Sequence, residues 1–527
     1  MAAKSPDTGA DAFRDISASL TRLTADKNTL KGLHRGIEKE SLRVRPDGNL
    51  SLLPHPAPLG SPLTHPSITT DFSEAQLELI TGVHPSADAC LEELEDIHRF
   101  VFASIGDELL WPSSMPCLLG TDEDIPIGRY GSSNIGQAKT VYRRGLGLRY
   151  GRLMQTISGI HYNFSVPDAV WQALGVHSQD DITRAYFGLI RNFRRWSWLL
   201  LYLFGASPAV CRSFTKHLEH RLDAHDEGSQ YLPHATSLRM GPLGYQSSAQ
   251  SDLHISYNSV EEYAASMVEA LTTNYPAYEA HGTRKEGTYH QLNTSILQIE
   301  NEFYGTIRPK RTIRSGERPV TALRARGVEY VEVRCLDLNP FLPLGIDAAQ
   351  ARFIDTFLLL CLVSDSPTDS EAESRRMGAN QLAVVERGRD PALELIDDQG
   401  QTVALKAWGE TLLAGCARLA EALDDAQGGG EHRAAVTAAA AALEDPARTP
   451  SARVLAAMQD ETVPFFRFSM QQAREIKSQL TARPLAPELA SRFNELARTS
   501  RQRQSEIEAA DTQSFDDFLV DYLAIEG

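Results

Sequence analysis

The sequence predicts an α+β protein, with strands in its first two thirds and a mainly helical remainder. Three observations carry this. Polar and apolar residues alternate along 35–44, 71–81, 155–166 and 327–340, the period of strands with one wet face. Segments whose apolar residues recur every three or four positions lie between those strands. Beyond about residue 345 the composition shifts to alanine, leucine and charge, as in EHRAAVTAAAAALED, and strand signals disappear. A chain of 527 residues exceeds one simple core. Residues 1–345 are therefore expected to form the α+β body and residues 346–527 a helical annex packed on it, not an independent unit.

In order, residues 12–33 read as a helix with Phe13, Ile16, Leu20 and Leu23 on one stripe. RGIEKESLRV follows as a strand, with Glu38 and Glu40 on one face and Ile37 on the other. Asp47 and Gly48 suit a tight turn, and the proline-rich run after them reads as a loop. In DFSEAQLELIT, at 71–81, Ala75, Leu77 and Leu79 alternate with Glu74, Gln76 and Glu78. Ser73 and Gln76 also suit a helical capping box there, but the alternation favours a strand. Ser86 is a fitting N-cap for a helix to about Phe102. GLGLRYG, at 145–151, reads as a turn rather than a phosphate loop. Ile160, Tyr162 and Phe164 oppose His161, Asn163 and Ser165 in the next strand. The last repeats the pattern, with Val331, Val333 and Cys335 opposite Tyr330, Glu332 and Arg334. The nearly uncharged stretch 196–211 is shorter than a bilayer crossing of about 20 residues and reads as a buried helix. The glycines at 428–430 mark a flexible connection.

A formal charge of -17 repels nucleic acid and anionic membranes, so neither is expected as a partner, and an anionic ligand needs a local cluster of cations. Six scattered cysteines without a C-x-x-C pair point to a reducing compartment and to no zinc site. The first twenty residues lack the apolar stretch of a secretory signal, which favours the cytoplasm. Phosphate-loop, zinc-protease, nucleophile-elbow and dinucleotide motifs are all missing.

What remains is a set of ionisable residues on polar strand faces: Glu38, Glu40, Glu78, His161, Glu332 and Arg334. Two carboxylates one residue apart on a strand have Cα atoms about 6.5–7 Å apart. Their repulsion is tolerable only with water, cationic side chains or metal ions nearby. If these strands share a sheet, the residues converge on one surface suited to hard divalent cations such as Mg2+, which can clamp a polyphosphate during phosphoryl transfer. Each residue also has a plainer reading. The glutamates would be a solvated face, His161 a satisfied core residue, and Glu332 with Arg334 a cross-sheet ion pair. The basic run from Arg308 through Lys310, Arg311, Arg314, Arg318, Arg324 and Arg326 is either a solvated loop or a holder of ATP phosphates.

Several of these segments together resemble the bacterial glutamate-cysteine ligase family, also called γ-glutamylcysteine synthetase. They are RGIEKESLRV, LGSPLTHPSITTDFSEAQLELIT, WPSSMPC, LMQTISGIHYNFS, YLFGASPAVC, YLPHATSLRM, LQIENEFYGTIRPKR and VEYVEVRCLDLNPF, with EIEAADTQSFDDFL near the C-terminus. The resemblance runs from about residue 30 to 365. It implies a fold related to glutamine synthetase, with a curved, mainly antiparallel sheet forming a funnel-like active-site face. It also implies a two-step ligation that opens glutathione biosynthesis. ATP phosphorylates the γ-carboxylate of glutamate, and the amine of cysteine then displaces phosphate.

Transferred residue by residue, the resemblance implies that Glu38, His161 and Glu332 hold the ion nearest the transferring phosphate, with Glu40 and Glu78 on a second ion. Magnesium is the expected metal, and manganese is able to substitute. Arg334 faces the γ-phosphoryl group and shares the nucleotide site with Arg311; Glu38, Glu332 and Arg334 carry catalysis. Arg143, Asn163 and Arg239 take the α-carboxylate and ammonium of glutamate, and Phe72, Tyr245 and Tyr304 surround the cysteine side chain. Cys335 and the histidine-rich 216–229 depart from the family pattern, the former with packing consequences only. The partners implied are glutamate, cysteine and ATP, with no obligatory protein partner. Two rivals stand beside this reading: a ligase of the same fold with another amine acceptor, and a non-catalytic protein that binds magnesium-nucleotide or glutamate.

Overall fold

The computed structural model describes residues 14–525 apart from 217, 245–247, 252, 315 and 460–462. Among these, one sheet is built from β1 (His34–Val44), β2 (Ile68–Thr70), β3 (Gln76–Ile80), β4 (Leu109–Leu110), β5 (Ile160–Ser165), β6 (Ile307–Lys310) and β7 (Tyr330–Leu336). Its order is β6-β7-β5-β1-β3-β2, with β4 paired to the end of β1, and every pairing is antiparallel. The glutamate-bearing strand is thus central, and its neighbours come from distant parts of the chain.

Alternation sorts side chains onto two faces. On the rear, Ile37, Leu77, Leu79, Ile160, Tyr162, Phe164, Val331 and Val333 are buried in the main core. Burial of each such side chain is worth about 1.5–3 kcal/mol. Helices supply the other half of that core, including α1 (Arg14–Thr24), α2 (Ala87–Ser104), α4 (Gln179–Trp196), α5 (Ala348–Val363) and α6 (Glu371–Arg387), while α3 (Asn134–Tyr150) packs in smaller clusters of its own. The odd-numbered positions of β1 also bring three cations to the rear, each with a partner. Arg35 lies 2.9 Å from Asp355, Arg43 lies 2.6 Å from Glu108, and the Lys39 Nζ is 3.0 Å from Ser41 and 2.8 Å from His98 Nε2. Burial pushes the Lys39 ammonium down to about 7.

Several local expectations are corrected. The first helix ends at Thr24, because the Asp26 side chain captures the amide of Asn28 at 2.8 Å and starts a turn; Phe13 lies outside the described residues. Residues 71–81 are not one strand: the amide of Gln76 donates to the Ser73 carbonyl at 2.8 Å, closing a turn between β2 and β3. GLGLRYG is the end of α3 rather than a turn; its Gly145 lets Gln298 approach to 2.2 Å of where a Cβ would stand. The stretch 196–211 is not one helix: α4 ends at Trp196, a second helix spans Trp198–Phe204, and Ala209–Cys211 is a strand. Part of the basic run, Pro319–Arg326, is helical. The glycines at 428–430 join helices Leu405–Gln427 and Glu431–Glu444, with Gly428 and Gly429 at φ of 84° and 93°. A hairpin, Glu394–Ile396 with Thr402–Ala404, interrupts the helices of the last third, too short to register as alternation. Cys117 and Cys211 form a disulfide across 94 residues, a departure from the free thiols of a reducing compartment. Spacing along the chain carries no trace of it. No helix among the described residues is long and apolar enough to cross a membrane.

Candidate active site

Strand register assembles the acidic cluster. Glu38 stands opposite His161, Glu40 opposite Glu78, and Glu332 opposite Asn163. All project from the front of the sheet, because each is one residue out of phase with the buried rear set. His161 is the hub. Its Nδ1 lies 3.2 Å from Glu38 Oε2 and 3.9 Å from Glu332 Oε1, and its Nε2 lies 3.8 Å from Glu40 Oε1. One donor atom each from Glu38, Glu78 and His161 fits within 4.8 Å. Glu78, expected with Glu40 alone, therefore also stands with Glu38 and His161.

The two ends of this cluster differ in charge balance. At one end Glu332 is 3.1 Å from both Lys310 Nζ and Arg334 Nη1. Burial alone would raise its carboxyl, but Lys310 and Arg334 outweigh it and hold Glu332 well below the ordinary carboxylate range. At the other end, among the described residues, the cations do not outweigh the burial and the acids. Burial, reinforced by Asp71, pushes Glu40 up to about 8 against the opposing pull of Arg239. Burial and then Glu38, Asp71 and Glu40 raise Glu78 well above its usual range. At these carboxyls burial and neighbouring acids outweigh the cations nearby, Arg239 and Arg334 at Glu40 and Arg143 at Glu78.

Asp71 is the acidic neighbour that sequence reasoning missed. A continuous strand over 71–81 would put it on the face of Ala75 and Leu77. The turn instead sets its amide 3.0 Å from the Gln76 carbonyl, opposite a residue that pairs with Leu42 on the front. The Ser73–Gln76 pair, which also suits a helical cap, marks this turn in the sequence.

The other expected residues are placed as follows. Arg239 is buried, donates to the Arg334 carbonyl at 3.0 Å and lies flat on Gly159, where a Cβ would come within 2.0 Å of its Nη2. Gly159 in turn donates its amide to Glu40 at 2.8 Å. Asn163 donates to Glu38 at 2.9 Å, and its Oδ1 is buried without a hydrogen-bond partner among the described residues. Arg143, on α3, reaches the carbonyls of Thr70 and Asp71 and covers the Tyr130 ring at 4.4 Å. Phe72 is fully buried. Tyr304 accepts from Gln155 at 3.0 Å and meets Tyr150 edge-on. Tyr245 lies outside the described residues.

Arg311 does not join the cluster: it turns to Glu329, at 3.8 Å, while its neighbour Lys310 reaches Glu332. Alternation admits only one of the two to the front. Arg318 and Arg326 are engaged by Glu300 and Glu317, so the basic run does not act as one phosphate-facing block. Cys335 is buried on the rear, where burial pushes its thiol up to about 12. Beside Arg334 and Arg239 a cavity of about 580 Å³ opens between the sheet, Tyr257, Tyr304 and α6, a volume within the ordinary range for small-molecule sites.

Residues 20–384 match the family model described as glutamate-cysteine ligase. The glutamate–cysteine ligase of Pseudomonas putida is 50% identical over 515 residues, covering 97% of this chain and 98% of that protein. Its counterpart from Pseudomonas paraeruginosa is 52% identical over 495 residues, covering 93% and 94%. A crystal structure of glutamate–cysteine ligase from Francisella tularensis in complex with AMP matches with a TM-score of 0.88 at 37% identity, over 94% of this chain and 98% of that one. Likeness of sequence and of fold, each over nearly the full length, places the chain in the glutamate-cysteine ligase family.

Proposed function

We propose that this protein joins the γ-carboxylate of L-glutamate to the amine of L-cysteine at the expense of ATP, through γ-glutamyl phosphate, as the first step of glutathione biosynthesis. The observation that carries the reading is the convergence of Glu38, Glu40, Glu78, Glu332 and His161 on one face beside Arg334 and a nucleotide-sized cavity. The donor set is oxygen-rich with one imidazole, and at its Glu40–Glu78 end burial and mutual repulsion outweigh the nearby arginines, which fits hard divalent cations. Bound magnesium or manganese would neutralise the polyphosphate and tie it to these carboxylates.

The chain's own side chains supply the rest. Arg334 lines the cavity, where it would stabilise charge on the transferring phosphoryl group. Lys310, beside Glu332, rather than Arg311, adds a second cation there. Arg143 and Arg239 are suited to the glutamate α-carboxylate, and the unpartnered Oδ1 of Asn163 to its ammonium. Phe72 and Tyr304, with Tyr245, suit a compact acceptor side chain. The reaction needs no protein partner, and its small-molecule substrates suit a cytoplasmic setting.

ADP release across a panel of amines, with and without glutamate and magnesium, tests this reading. Release that demands glutamate, cysteine and the metal together is expected. Release with another amine in preference to cysteine would turn the reading to a related ligase, and no release under any condition would turn it to a binding protein.

A further inference from the structure

The C-terminal helices hold the loop that precedes β2 and the start of α3. On α7 (Pro487–Ala510), Ser500, Gln504 and Glu508 fall four residues apart and share one stripe, with Asp511 following at its end. The stripe binds two segments far apart in the chain. The Ser61 amide donates to Ser500 at 2.9 Å, the Ser61 hydroxyl to Gln504 at 2.5 Å, and the Thr64 hydroxyl to the Ser500 carbonyl at 2.5 Å. The Ser132 amide donates to Glu508 at 2.8 Å, and the Asn134 amide to Asp511. Glycines permit the approach: a Cβ on Gly60 would lie 2.8 Å from Ala497 Cα, and one on Gly131 would lie 2.2 Å from Gln504 and Glu508. The next helix, α8 (Phe515–Leu523), packs Phe515 and Leu519 against Ala138 and Val141 of α3.

Each captured segment leads straight into the site. Residues 60–64 run into β2 and Asp71, while Ser132 and Asn134 open α3, whose Arg143 holds the Asp71 carbonyl. Carboxylates at the start of α3 also complement its dipole. We propose that Glu508 and Asp511 are positioning residues that fasten the start of α3 to the helix whose Ser500 and Gln504 hold the 60–64 loop, so that Arg143 and Asp71 keep the spacing the glutamate pocket requires. This rests on the assignment of Arg143 to glutamate above.

The test is steady-state kinetics on the full-length Asp511→Ala, Asp511→Asn, Glu508→Ala and Arg143→Lys enzymes. Asp511→Ala should raise the glutamate KM by about tenfold, since small misplacements of a binding group cost one to two orders of magnitude. The ATP KM should stay within about twofold, and Asp511→Asn, which keeps an acceptor oxygen, should restore most of the loss. If Asp511→Ala does not fold, Glu508→Ala carries the same expectation at about threefold. An unchanged glutamate KM, or an equal rise for ATP, overturns the positioning role. If Arg143→Lys does raise the glutamate KM in that case, the assignment of Arg143 stands alone; if it too leaves the KM unchanged, that assignment falls and takes the positioning role with it.

Discussion

On the rear face of β1, Arg35 meets Asp355, Arg43 meets Glu108, and Lys39 rests on Ser41 and His98. On its front face, Glu38 and Glu40 share one imidazole with Glu332, and the Glu40–Glu78 end is left with carboxyls pushed upward by burial and by one another. Both faces belong to the same eleven-residue strand. The rear is closed by groups the protein supplies, so its charges serve folding. On the proposed function the Glu40–Glu78 end of the front is closed by cations that arrive with the substrates, so its charges would serve ligands and cost stability until those ligands bind.

Substitutions on the two faces should therefore separate activity from stability. The largest effect is expected at the front: Glu38→Gln or Glu332→Gln should lower kcat on the order of 10²–10³-fold. Both carboxylates are held below their ordinary range, so these variants should also melt somewhat lower, whereas Glu78→Gln, at the end where burial raises the carboxyls, should melt no lower than the parent, as kinetics and thermal unfolding on the same preparations will show. At the rear, Asp355→Ala strands the buried Arg35 and should cost about 3–5 kcal/mol. The activity of the fraction that remains folded should stay within about twofold of the parent. If front variants melt early and keep their turnover, the contrast between faces is broken.

A smaller effect sharpens the front itself. Gly159→Ala places a methyl where the Arg239 guanidinium lies, at 2.0 Å, so Arg239 must move. The glutamate KM should rise roughly tenfold with the ATP KM little changed; equal effects on both would show that the disturbance spreads through the sheet.

How much of this was legible in the sequence follows from the range of each signal. Alternation is local, so the faces of β1, β5 and β7, and with them the company of Glu38, Glu40, His161 and Glu332, could be read directly from residue order. Asp71 could not, because one turn at Ser73 reverses the phase of everything before it. Lys310 rather than Arg311 reaches Glu332 for a similar reason, a phase set by register with β7. The Cys117–Cys211 bond and the α7 stripe join residues with no shared periodicity, and only the folded chain brings them together.

The smallest effect is one of pH. Without divalent cations, Glu40 and Glu78 bind protons more tightly folded than unfolded. Their contribution to stability should therefore decline as pH rises from the ordinary carboxylate range toward about 8. Melting temperatures taken from about pH 5 to about pH 8.5 should show that slope, and magnesium should flatten it.

The central claim is that the front carboxylates tolerate their crowding only because cations bind among them. Thermal unfolding of the parent and of Glu78→Gln, at neutral pH with and without magnesium, tests it most directly. The account predicts that the variant melts above the parent without metal, and that magnesium raises the parent far more than the variant. A variant that melts no higher than the parent without metal, with both gaining equally from magnesium, would contradict it.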